Sequence, residues 1–75
     1  MHYTKDNING LKIKHCVRVG DFGIITDVRE NLYTLTAMVS WSRSGSSRFN
    51  VISILDYLDN GQWIPLKQSH HFKIY

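Results

Sequence analysis

Lys12, Lys14 and Arg18 recur at even spacing within residues 11–19, and in an extended chain that spacing sets all three on one face. A row of cations suits a polyanion, because each phosphate that it neutralises releases condensed counterions and adds salt-dependent affinity. Arg29, Lys67 and Lys73 can extend the same positive surface. A second cluster lies in residues 42–48, where Arg43 and Arg48 flank serines and a glycine. Guanidinium groups, hydroxyls and backbone N–H groups together can hold a phosphate. Tyr33, Trp41, Phe49 and Trp63 offer ring faces on which unpaired bases stack. The expected contacts to nucleic acid are therefore Lys12, Lys14, Arg18, Arg43 and Arg48 for phosphates, with Tyr33, Trp41 and Trp63 for stacking. Each has a plainer alternative. The cations can be a solvated outer face, residues 42–48 an ordinary hairpin loop, and the two tryptophans core, since so small a domain needs its large aromatics inside.

Other chemistries find little support. His15 and Cys16 are sequence neighbours in an extended segment, so they point to opposite faces, and the same holds for His70 and His71. Four histidines and one cysteine lack the spacing of a zinc site. His15 on an apolar face reads as a core or barrel-end histidine, and Cys16 has no base placed beside it. Asp21 and Asp27 flank one turn, and Asp56 and Asp59 fall on one side of a helical turn. Asp in turns ordinarily serves backbone hydrogen bonds, whereas acid–base catalysis needs a site that shifts its pKa. No catalytic residue, metal or cofactor is expected.

These residues sit in a chain of 75, enough for one domain. Hydrophobic residues make up 43% and charged residues 20%, with a net charge of +3. That balance is richer in apolar residues than disordered chains are. No apolar run is long enough to span a membrane. The polar start lacks the apolar stretch of a secretion signal, and a single cysteine leaves no internal disulfide. The expectation is a cytoplasmic single-core domain. Stability is thin at this size, which favours function through the surface over a deep catalytic cavity.

The elements follow from periodicity. Residues 1–10 are polar, end in Asn9-Gly10 and read as loosely held or as a short lead-in. Residues 11–19 alternate strictly, with Leu11, Ile13, His15, Val17 and Val19 on one face of a strand. Gly20-Asp21-Phe22-Gly23 is a tight turn, and residues 24–29 are β-branched enough for a second strand. Glu30-Asn31 marks a hairpin tip. Residues 32–41 alternate again, with Tyr33, Leu35, Ala37, Val39 and Trp41 on one face. A polar loop fills 42–47, and strand character resumes over 48–54. Residues 54–58 fit either one helical turn or the strand's end. Asp59-Asn60-Gly61 is a turn, and 62–66 a short strand with Pro65 at its edge. Residues 67–75, with Phe72, Ile74 and Tyr75, make a C-terminal strand or tail. Five short strands in about 65 residues favour a closed sheet, which removes exposed edges.

The stretch Val17-Arg18-Val19-Gly20-Asp21-Phe22-Gly23-Ile24-Ile25-Thr26-Asp27-Val28 resembles the KOW-like signature of SH3-like small barrels, and Val39-Ser40-Trp41 before a polar turn is similar to their third strand. The resemblance covers residues 11–58. It implies an all-β, five-stranded SH3-like barrel over 11–66. It also implies a partner drawn from RNA, DNA or protein, because KOW domains often bind RNA or contact transcription and translation machinery. In size and style the chain is similar to small phage accessory proteins. The function expected is non-enzymatic binding of RNA or single-stranded DNA through the basic strand face and loop. The rival is a protein-interaction module that docks on or inhibits a larger machine, using the apolar tail.

Overall fold

Clusters of β-branched and aromatic residues separated by glycine turns build a mostly β domain, seen in a computed structural model that describes residues 3–66. The elements are β1 (Lys12–His15), β2 (Phe22–Glu30), β3 (Leu35–Trp41), β4 (Gly45–Asn50), α1 (Val51–Asp59) and β5 (Trp63–Pro65). All pairs are antiparallel, in the order β4-β3-β2-β1-β5. The edge strands β4 and β5 are joined through α1. Phe49 and Trp63 meet edge to face with centroids 5.3 Å apart, so side chains bring the two edges together. No backbone pairing between β4 and β5 closes the sheet among the described residues, so the expected closed barrel is replaced here by an open, five-stranded sheet.

One face of the sheet makes the core. Ile13, Ile25, Ala37, Val39 and Trp41 point inward from β1, β2 and β3. Val51, Ile54 and Leu58 cover them from α1, at the spacing of one helical face. Gly23 is buried beneath the Trp41 indole, where a Cβ would stand 2.9 Å from Cε3, so only glycine admits the ring. An extra residue in β2 forms a bulge at Asp27 and Val28, opposite Ala37, with Asp27 at φ 52°. The bulge returns Val28 to the core side.

The N-terminal lead-in is held, not loose: Ile8 is buried, and Gly10 N–H donates to the Ile25 carbonyl at 2.6 Å. Five segment assignments are corrected. β1 stops at His15, whose Nδ1 accepts from the N–H groups of Val17 and Arg18 at 3.1 and 3.2 Å. Those bonds curl the chain away, so Val17 and Val19 are exposed instead of inward. β2 reaches back to Phe22. β3 starts only at Leu35, because Asn31 N–H donates to the Thr34 carbonyl at 2.7 Å and closes a turn that includes Tyr33. The loop after β3 is just 42–44, and residues 51–53 are helical: the 51/54/58 apolar spacing is satisfied by packing α1 on the sheet. The possible helical turn at 54–58 is thus part of a longer helix. No helix among the described residues is long and apolar enough to cross a membrane. Residues 67–75, including Lys67, Lys73 and the apolar tail, lie outside the described residues.

Candidate nucleic-acid interface

Antiparallel partners share a face, so the register defines what the outer side of the sheet presents. Lys14 stands between Ile64 of β5 and Phe22 of β2. One row on, Lys12 stands beside Ile24, which is followed by Ser40 and Ser46 on β3 and β4. Both lysines are exposed, and Phe22 is 49% exposed. The outer face of β5, β1 and β2 is therefore an apolar floor with an aromatic ring, bearing two ammonium groups. Among the described residues neither lysine has a carboxylate within salt-bridge reach, and neither does Arg43. Lys5, by contrast, is tied to Glu30 and Asp6 at 3.2 and 3.4 Å.

Arg18 and Arg48 have other work. Asp21 is 2% exposed and receives four donors. Arg18 Nε donates at 2.9 Å, Arg43 N–H at 2.8 Å and Ser42 Oγ at 3.3 Å, with Ser44 Oγ also donating. Burial pushes the Asp21 carboxyl up, but the bonds from Ser44, Arg18 and the Arg43 N–H outweigh it and hold the group well below the usual carboxylate range. This hub locks the β1–β2 turn to the β3–β4 turn. The Arg18 guanidinium also lies 5.1 Å from the Trp41 ring centroid. Arg48 donates to the Asp27 carboxylate at 2.5 Å, the Asp27 carbonyl at 3.1 Å and Thr36 Oγ1 at 3.0 Å. It braces the bulge, where the hydrogen bond from Arg29, opposed by burial and reinforced by Arg48, lowers the Asp27 pKa.

The expected site is thus partly assembled. Lys12 and Lys14 share the outer face, and Arg43 projects near Gly20, the distance from its Cζ to a Cβ built there being 3.5 Å. Arg18 is bent into the Asp21 and Trp41 contacts instead of standing in line with the lysines, because β1 ends before it. Arg48 is held by Asp27. Trp41 and Trp63 are 8% and 5% exposed and pack at 5.3 Å on one another, so they are core residues with no free face for a base. Tyr33 is 90% exposed but sits at the far end of the β2–β3 hairpin, away from the Lys14 row. Phe22, Ile24 and Ile64 share this face with the lysines and are absent from the residues expected from the sequence. Starting β2 at Phe22 supplies the signal, since Phe22, Ile24 and Thr26 then alternate outward beside the lysines. Comparison with family models, curated proteins and solved structures finds nothing that matches this chain.

Proposed function

We propose that this chain is a non-enzymatic module that binds single-stranded nucleic acid on the outer face of β5, β1 and β2. The observation that carries it is the Ile64–Lys14–Phe22 row beside Lys12, two cations unpaired among the described residues and set beside an exposed ring on an apolar floor. Backbone phosphates meet Lys12, Lys14 and Arg43, and a base stacks on Phe22. An exposed ring beside cations suits unpaired bases, whose faces are free to stack on it. The resemblance of residues 11–58 to the KOW-like pattern of SH3-like domains supports the same reading. Anisotropy of a labelled oligonucleotide, titrated with salt, tests it. The double variant Lys12→Glu/Lys14→Glu is expected to remove binding. Neutralising both lysines as alanine is expected to reduce the slope of log K against log salt by about 1.4. Phe22→Ala is expected to weaken binding by about 1–3 kcal/mol with the slope kept. Unchanged affinity in the charge-reversal variant overturns the proposal.

A second reading rests on a separate observation. Leu32, Tyr33 and Ile52 are exposed around a shallow hollow of about 510 Å³ at the opposite end, which suits a protein contact. Affinity capture with the wild type beside Leu32→Asp/Tyr33→Asp tests it, equal capture by both proteins refuting it.

A further inference from the structure

The end of the sheet that carries the Lys14 row also opens into a hollow of about 220 Å³ on the inner face, lined by Arg18, Trp41, Tyr57, Gln62 and Trp63 among others. We infer that this hollow takes one unpaired nucleobase of the strand bound on the outer face, and that Arg18 is the plane on which the base stacks. The inference rests on the single-strand reading and adds to it a second base site with a different chemistry.

Arg18 is unusual among the cations here. Its Nε is fixed on Asp21 at 2.9 Å, and its guanidinium lies over Trp41 at 5.1 Å. Asp21 is fully enclosed, while the Arg18 side chain remains 45% exposed. The side chain is thus anchored at Asp21 and Trp41, is about half exposed, and lines the hollow. The Asp21 carboxylate offsets its charge, which weakens it as a phosphate ligand and leaves its plane as the useful feature. Planar guanidinium groups stack on bases as aromatic rings do. Gln62, exposed at the rim, carries both a donor and an acceptor for a base edge, and the Tyr57 hydroxyl adds another. The path is short. At the β5 edge Ile64 faces out beside Lys14, and its neighbour Trp63 faces in toward His15. A strand lying on Lys14 and Phe22 can turn over that edge and set its next base against Arg18. The same geometry gives the buried Trp41 and Trp63 a supporting part in the site: they back the platform and offer no face of their own to the base.

The test uses hexanucleotides of each base and an abasic hexamer of equal charge, with anisotropy for binding and intrinsic fluorescence for the hollow. Trp41 and Trp63 are the only tryptophans, and both line it. Base-bearing hexamers are expected to change tryptophan emission saturably, and the abasic hexamer to bind without that change. Arg18→Lys keeps the charge and loses the plane. It is expected to weaken base-bearing hexamers about tenfold and leave the abasic one unchanged, within the range of one stacked base. Gln62→Ala touches only an exposed side chain, so its fold is secure, and it is expected to alter the ranking of the four bases. Binding with no change in emission, or both variants matching the wild type on every hexamer, overturns the base site and leaves the outer-face reading standing. Absence of binding by any hexamer overturns both.

Discussion

Asp21 shows how one side chain can decide local structure. Its type and its place between two glycines mark a turn in the sequence, yet its partners come from Arg18 on one side and from residues 42–44 on the other. No local pattern announces that meeting. Its pH consequence has a definite sign. The folded-state pKa is depressed, so in the unfolded chain the carboxyl takes up its proton first as pH falls below about 3.9. The stability that Asp21 contributes is complete above that value and is lost as pH falls toward the folded-state pKa. Asp27 acts in the same direction. Urea midpoints measured from pH 6 to pH 2.5 are expected to be flat at first and then to drop below pH 4, and Asp21→Asn is expected to flatten the drop. An equally steep drop in that variant excludes Asp21 as the source. Arg18 makes a related point. It is visible as a cation in the sequence, but its charge is offset by Asp21, so counting it with Lys12 and Lys14 overstates the free positive charge of that face.

At the scale of elements, alternation was legible and its limits were not. Ile13, Ile25, Val39 and Trp41 fall on the inner face, as period-two patterning requires. Val17 and Val19 continue that pattern in sequence but not in space, because the His15 side chain captures two backbone N–H groups and ends the strand. Residues 51–58 carry apolar side chains that suit either period. Packing on the sheet selects the helix, burying Val51, Ile54 and Leu58 and leaving Ile52 outside. Two substitutions on α1 separate these roles. Ile54→Ala is expected to destabilise by about 2–5 kcal/mol through lost burial and a residual cavity. Ile52→Ala is expected to stay within about 0.5 kcal/mol. Chemical denaturation of both reads the difference, and similar losses in the two would refute the helical assignment.

The whole molecule has two unlike ends. The end bearing Lys14, Arg43, Arg18 and the inner hollow is cationic and aromatic. The other end exposes Leu32, Tyr33 and Ile52. Strand direction fixes this separation, since β2 runs from Phe22 at one end to Glu30 at the other. A binding strand that uses the first end has no need of the second. Leu32→Asp/Tyr33→Asp is therefore expected to leave oligonucleotide affinity within about twofold and stability within about 0.5 kcal/mol. A large loss of affinity in that variant places the nucleic acid on the wrong end and returns Tyr33 to the site.

By itself the sequence determined the β class, the inner face of most strands, the outward placement of Lys12 and Lys14 and the major turns, because period-two alternation and glycine or asparagine turns act over a few residues. Tertiary structure decided which cations remain unpaired among the described residues, that Trp41 and Trp63 are core, that Phe22 joins the lysines, and that 51–59 is helical. Most of those depend on a partner distant in the chain: Asp27 for Arg48, Gly23 beneath Trp41, and the sheet beneath α1; Arg18 meets Asp21 only three residues on, because the chain curls after His15.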